Sequence, residues 1–315
     1  MESWNRRSFV KSAALGTAAM TLFGSCLGKN MQKEKSGESR FQISLAQWSL
    51  HRALQGKQLD HLDFSKKAIE VFGIKAVEYV NQFFKDKATD SNYLAEMNKR
   101  AADLGVKQLL IMIDGEGGLA EPDDTLRNTS VTNHYKWADA ARTLGCHSIR
   151  VNAFGTPHDP VALHLAAVDG LGRLATYAQP LGINVIVENH GGYSSNGKWL
   201  ADVIKEINMP NCGTLPDFGN FCIRREGGDQ WTTPCVEEYD RYKGVSEMIP
   251  YAKAVSAKSY DFDAAGNETK IDYSKMIDIV KKSNYSGHIG IEYEGTRLSE
   301  DDGIRATKKL LEQLI

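Results

Sequence analysis

From Phe41 onward the chain alternates between two hydrophobic periods. Short apolar runs of strand length recur: "FQISLAQWSL", "IKAVEYV", "VKQLLIMID", "CHSIRVNAFG", "INVIVENHGG", "CGTLPDFGNF", "AVSAKSYDFD" and "HIGIEYEG". Between them lie segments whose apolar residues return at helical spacing. "LDFSKKAIEVFG", "YLAEMNKRAADLG", "HYKWADAARTLG" and "LGRLATYAQPLG" each stop at a glycine, the residue that most readily ends a helix. Strand–helix units repeated eight times over about 275 residues, with no linker-like break, predict a single parallel eight-stranded (β/α)8 TIM barrel spanning 41–315. The alternative is a doubly wound open sheet, which would carry a glycine-rich phosphate turn after its first strand. "HRALQGKQLD" is no such turn.

The amino terminus follows a different pattern. "NRRSFVKSAALGTAAMTLFGSC" places Arg6 and Arg7 before a small-residue apolar stretch that is too short for a permanent membrane span and has no amphipathic stripe. It resembles a bacterial twin-arginine signal peptide over 1–26, and "LFGSC" resembles a lipoprotein cleavage box with Cys26 as the lipidated residue. Residues 27–40 are polar and free of aromatics, as a tether would be. The expectation is an exported, periplasmic protein whose membrane contact is a lipid anchor at Cys26.

Composition narrows the function classes. The 315 residues are 42% hydrophobic and 25% charged, enough for one large core. A formal charge of -2 and the lack of a long basic run give no electrostatic footprint for nucleic acid. Cys146, Cys212, Cys222 and Cys235 match no zinc-knuckle spacing. Cys222 and Cys235 flank a loop that they either close as a disulfide or leave open as thiols.

In a barrel of this kind the carboxyl ends of the strands build the active site. Glu188 closes the fifth apolar run, Asp217 the sixth and Glu292 the eighth. Carboxylates converging unpaired on one mouth repel and raise one another's pKa, and a divalent cation relieves that repulsion. The alternation over 41–315, with "VIVENHGG", "LPDFGN" and "GIEYEG" at these strand ends, resembles the xylose-isomerase-like TIM barrels known as sugar phosphate isomerases/epimerases. That resemblance implies one divalent ion, manganese, magnesium or similar, held by a Glu, an Asp, a His and a Glu from strands five to eight. Glu188, Asp217 and Glu292 match three of these positions.

The fourth departs: the seventh run reads Ser256-Ala257-Lys258 where the family has His-x-Lys, and a serine hydroxyl is a poor ligand beside an imidazole. His190 lies two residues after Glu188 and shares its face if the strand stays extended. It then either fills the fourth metal position or binds substrate. Trp48 is placed to stack on a sugar ring, with His51 just beyond it. Glu78, Asn152, Asn220 and Lys258 are placed to hydrogen-bond its hydroxyls, although Lys258 could instead form an ion pair with Asp217 or Glu292. The long loop after strand six has the length of a lid, and its Arg224 and Arg225 either capture an anion or form a solvated tip.

The implied chemistry is enolisation of a carbonyl sugar. Metal and Lys258 polarise the carbonyl, and Glu188, Glu292 or His190 removes the adjacent proton. Epimerisation, isomerisation and elimination all follow from the same enolate. An exported location favours an unphosphorylated carbohydrate as the small-molecule partner. Lyase action on 3-keto-glycosides and a catalytically silent tethered sugar binder are the alternatives. A DNA-repair endonuclease of this superfamily would need a multi-histidine zinc cluster, and only His190 stands at a strand end. A chain beginning at Ser39 is expected to melt at the same temperature as the full chain by circular dichroism. A marked loss of thermal stability would show that the amino-terminal segment belongs to the fold.

Overall fold

The computed structural model describes residues 40–156, 159–229 and 231–315. The signal-like segment, its Cys26 and the tether up to Ser39 lie outside the described residues. Arg40, assigned by its polarity to the tether, is tied to the barrel: its guanidinium donates to the carbonyls of Tyr285 (2.8 Å) and Lys281 (3.0 Å), and its own carbonyl accepts from Gly287 N–H.

The strands are β1 (Phe41–Ala46), β2 (Ala76–Val80), β3 (Lys107–Met112), β4 (Ser148–Val151), β5 (Asn184–Glu188), β6 (Cys212–Leu215), β7 (Cys222–Arg225), β8 (Cys235–Glu238), β9 (Val255–Ser259) and β10 (Gly287–Tyr293). Eight of them form one sheet in the order β6-β5-β4-β3-β2-β1-β10-β9, with every ladder parallel. The seam between β6 and β9 is closed by isolated parallel bridges, Thr214 to Ala252 and Asp217 to Ser256. The antiparallel pair β7–β8 is a separate hairpin inserted after β6. The (β/α)8 barrel read from the periodicity is thus the observed fold.

The helices α1 (His51–Gln55), α2 (Phe64–Phe72), α3 (Ser91–Asp103), α4 (Asp124–Thr143), α5 (Pro160–Ala178), α6 (Gly197–Ile207), α7 (Arg241–Met248) and α8 (Tyr273–Lys282) intervene between strands, and α9 (Glu300–Leu314) follows β10. Their starts are chemically set. The side chains of Asp90, Asp123, Asp159, Asn196, Asp240, Asp272 and Ser299 accept first-turn N–H groups, a cap worth ~1 kcal/mol each. Gly73 ends α2 at φ 67°, where a side chain would be strained. No described helix is long and apolar enough to cross a membrane.

Two cores result. The larger joins strands to helices, with Trp137, Phe64 and Phe218 fully buried. The smaller fills the barrel interior with Ala46, Val80, Leu110, Met112, Ile186, Leu215 and Ala254. Because strand side chains alternate faces, the positions two residues further along these strands also point inward and rise toward the mouth. The apolar interior therefore gives way to Glu188 above Ile186, to Asp217 above Leu215 and to Ser256 and Lys258 above Ala254.

One histidine is built into the strand–helix core as a neutral group. Gln47 Oε1 accepts from Val80 N–H (3.0 Å), so its amide nitrogen donates to His61 Nδ1 (2.9 Å), while the ring stacks on Phe84 at 4.5 Å. His61 Nε2 has no partner, and burial lowers the pKa from 6.5 to about 4. Below pH 6.5 the unfolded chain binds a proton that the folded chain refuses, so stability falls as pH drops from 6.5 toward 4, by up to ~3 kcal/mol. His61→Phe is expected to flatten the decline of the thermal midpoint between pH 7 and 4.5. An unchanged slope would mean that the ring is protonated in the folded state.

Candidate active site

The mouth is assembled by neighbouring staves. Glu188 ends β5, Asp217 follows β6 and Glu292 lies in β10. All are buried, and one donor oxygen from each lies within 4.8 Å of the other two. Among the described residues this is the one group of His, Cys, Asp and Glu side chains with metal-holding geometry.

Two buried cations hold the carboxylates. Arg150, inward on β4, places Nη1 2.8 Å from Asp114 Oδ1 and Nε 2.8 Å from Glu188 Oε2. Lys258, on β9, lies 2.9 Å from Glu294, 3.0 Å from Glu292 and 3.7 Å from Asp217. Burial pushes Glu188 and Asp217 up to about 7 against the pull of Arg150 and Lys258 respectively. Glu292 feels the same burial, but Lys258 and the Ser256 hydroxyl outweigh it and hold the group below its ordinary value. The flanking charges drive Asp114 well down and Arg150 and Lys258 well up, overcoming desolvation.

Ser256 sits between two of the three carboxylates. Its Oγ is 2.7 Å from Asp217 Oδ2 and 2.8 Å from Glu292 Oε2. A hydroxyl carries one proton, so only one of these contacts is a hydrogen bond from serine at any instant. The donor set suits a hard divalent ion: all-oxygen and anionic, with spacings compatible with metal–oxygen distances of roughly 2.0–2.6 Å. Glu188, Asp217 and Glu292 would hold such an ion. Carboxylates still outnumber cations here, since Asp114, Glu188, Asp217, Glu292 and Glu294 face only Arg150 and Lys258.

His190, left open between fourth ligand and substrate contact, is not part of that group. The strand ends at Glu188, and the buried side chain of the next residue, Asn189, staples β5 to the loop after β6. Its Oδ1 accepts from Asp217 N–H (2.7 Å), and its Nδ2 donates to the Asp217 and Asn220 carbonyls, each at 3.0 Å. With the backbone fastened there, His190 lies toward β4. There Nδ1 meets Asn152 Oδ1 at 2.9 Å, and the ring packs against Trp231 (4.7 Å) and Phe154 (6.1 Å). Asn152 Nδ2 is committed to Asp114 (2.8 Å), which makes its oxygen the acceptor. His190 therefore carries its proton on Nδ1 and keeps a bare Nε2. Burial and the Arg150 charge lower its pKa to about 4.

Above the carboxylates opens a cavity of about 1190 Å³, lined in part by Trp48, Asn152, His190, Asn220 and Glu292. Asn220 Nδ2 donates to Glu188 Oε1 at 3.1 Å. Other residues expected at a sugar face elsewhere. His51 stacks beneath Trp48 at 4.9 Å and bonds the Trp48 carbonyl, outside the lining. Glu78 lies deeper in the barrel, where Ser44 donates to it at 2.5 Å and burial raises it to about 7. Lys258 is 1% exposed and committed to carboxylates. Arg150, Asp114, Phe154, Trp231 and Glu294 were not singled out in the sequence. An arginine two residues before Asn152 in an apolar strand was the available signal for the first.

The loop after β6 is the β7–β8 hairpin, closed by a Cys222–Cys235 disulfide; Cys146 and Cys212 are free and buried. Arg224 pairs with Glu237 at 3.3 Å, and Arg225 donates to the Thr233 carbonyl at 2.7 Å.

The sequence profile of the Xylose isomerase-like TIM barrel family matches residues 67–314, and the chain belongs to that family. Similar solved structures share its fold at low identity. The D-psicose 3-epimerase of Clostridium cellulolyticum H10, solved with D-tagatose, superposes with a TM-score of 0.66 at 12% identity over 87% of this chain and 99% of its own. An IOLI protein with a bound zinc atom gives 0.64 at 13% identity, covering 87% and 97%. A xylose isomerase-like TIM barrel protein from Mycobacterium smegmatis in complex with magnesium gives 0.59 at 16%, covering 87% and 96%. No curated protein matches the chain by sequence.

Asp217→Asn is expected to lower Mn2+ affinity, measured by isothermal titration calorimetry, by more than the ~10–100-fold typical of an outer-shell change. His190→Ala should leave it within a few-fold. A large loss in His190→Ala would place the imidazole on the ion. Ser256→His, which offers the family's fourth ligand, should tighten binding.

Proposed function

We propose that the chain is a divalent-metal-dependent sugar isomerase or epimerase that enolises an unphosphorylated keto sugar. The observation that carries this reading is the convergence of buried Glu188, Asp217 and Glu292 beside a cavity that Glu292 lines together with polar and aromatic side chains. Family membership and the structural likeness to sugar epimerases support it.

When bound, the ion would supply Lewis acidity that lowers the energy of a developing enediolate. The protein supplies the rest. Glu188 and Glu292 stand on staves separated by β6 and β9, so their carboxylates approach the floor from different directions, as proton removal and return on a sugar carbon require. Lys258, 3.0 Å from Glu292, keeps that carboxylate ionised and so acts through it. His190, neutral near physiological pH with Nε2 bare, accepts a hydrogen bond from a sugar hydroxyl. Each arginine lining the cavity already has a partner: Arg150 on Asp114 and Glu188, Arg224 on Glu237, Arg225 on Thr233. No lining arginine waits for a phosphate, which favours a neutral sugar. An exported location over a signal-like amino terminus belongs to the same reading.

Enolisation leaves a label whatever its product. With Mn2+ in D2O, the protein is expected to wash deuterium into the carbon next to the carbonyl of at least one member of a ketopentose and ketohexose panel, read by proton NMR. Glu188→Gln and Glu292→Gln should each slow exchange by ~10²-fold or more. Exchange that persists in both variants would remove the carboxylates from the chemistry, and a panel without exchange would count against an enolising enzyme.

A further inference from the structure

We propose that the outer half of the cavity is a second-ring subsite, so that the substrate is a sugar bearing a further ring, either another sugar or an aromatic aglycone. This rests on the reading that the first ring sits over the carboxylates. At about 1190 Å³ the cavity exceeds the roughly 300–1,000 Å³ that suffices for a drug-sized ligand, and a single monosaccharide would leave most of it to water.

The lining also changes character with height. The floor is carboxylate and amide. The outer wall is aromatic, with Trp231 edge-on to Phe154 at 5.7 Å and beside His190 at 4.7 Å. Flat apolar faces of this kind recognise ring faces, either the C–H face of a pyranose or an aromatic ring.

Trp231 is held there by dedicated structure. It lies on the β7–β8 hairpin, whose strands are pinned by the Cys222–Cys235 disulfide. At the tip Asp229 Oδ1 accepts from the N–H groups of Trp231 (2.7 Å), Thr232 (2.5 Å) and Thr233 (3.3 Å), and Thr233 Oγ1 donates to the Glu226 carbonyl at 2.8 Å. Gly191, at φ 90°, brings the β5 loop up to the indole, where even a Cβ would stand 3.4 Å from the ring. Yet Trp231 remains 46% exposed. A tryptophan whose purpose was packing would be covered. One fixed in place and left half open over a cavity is a platform for a ligand ring.

The test uses the full chain with Mn2+ and three probes in calorimetry: methyl β-D-glucopyranoside with one ring, and phenyl β-D-glucopyranoside and cellobiose with two. At least one two-ring probe is expected to bind ~2–10-fold tighter than the methyl glycoside. A gain for the phenyl compound alone identifies an aromatic aglycone, and a gain for cellobiose alone a second sugar. Trp231→Ala should bring the three level without weakening the methyl glycoside, and Trp231→Phe should keep part of the gain. The subsite is overturned if two-ring probes bind no tighter, if Trp231→Ala weakens all three alike, or if none of the three binds. Glu292→Gln separates this proposal from the reading beneath it. Unchanged affinities in that variant, with the Trp231-dependent gain intact, would leave the subsite standing and remove the sugar from the carboxylates.

Discussion

Burying charge inside a barrel is the constraint on which this structure turns. Each carboxylate taken out of water costs several kcal/mol unless a partner restores the lost solvation. Arg150, between Asp114 and Glu188, and Lys258, among Asp217, Glu292 and Glu294, are those partners. Removing either would strand buried anions, a loss of ~3–5 kcal/mol by the usual cost of breaking a buried pair. The balance is uneven: burial raises Glu188 and Asp217 to about 7 despite their cations, as it raises Glu78, which has Ser44 as its hydrogen-bond donor and no cation in contact, while Lys258 and Ser256 hold Glu292 below its ordinary value. Five carboxylates thus share two cations, and the uncompensated burial falls on Glu188 and Asp217, two of the three whose oxygens converge.

The barrel seam passes through the same point. β6 and β9 share no continuous ladder, and Ser256 does much of the joining. Its N–H donates to the Pro216 carbonyl at 3.0 Å, and its carbonyl accepts from Phe218 N–H at 3.1 Å, on either side of Asp217. The backbone at 256 thus holds Asp217 whatever the side chain is. That separates two roles at this position: the backbone keeps the seam, while the serine side chain links Asp217 to Glu292 through a hydroxyl.

What the sequence made legible was local. Strand–helix alternation was readable because apolar period and glycine stops are properties of short windows, and Gly73 and Gly182 do end their segments at positive φ. The carboxylates at strand ends were readable because barrel symmetry sends strand ends to one mouth. The direction of His190 was not, since it depends on Asn189 finding Asp217 and Asn220, partners 28 and 31 residues away. Arg150 was hidden because an inward charge in an apolar strand looks like an exception until Asp114 and Glu188 are seen beside it. "FQISLAQWSL" reads as one run, but β1 stops at Ala46 and Gln47–Leu50 forms a 3-10 turn, which carries Trp48 to the cavity wall.

The insertion after β6 is where the chain leaves the repeating pattern, and it begins at Asp217, one of the three converging carboxylates. Asp217 Oδ1 accepts from the N–H groups of Gly219 and Asn220, both at 2.8 Å, so the carboxylate folds its own downstream turn. Asn220 then reaches back to Glu188, and its carbonyl accepts from Ser195 Oγ at 2.8 Å. At Phe221 the carbonyl accepts from Tyr239 N–H at 2.8 Å, which joins the two legs of the hairpin below the disulfide. The path from Asp217 to Trp231 is thus fastened at its root, waist and tip. A hinged lid would need a stretch in which the backbone is free to change. This hairpin instead holds its indole over the cavity, beside His190 and Phe154.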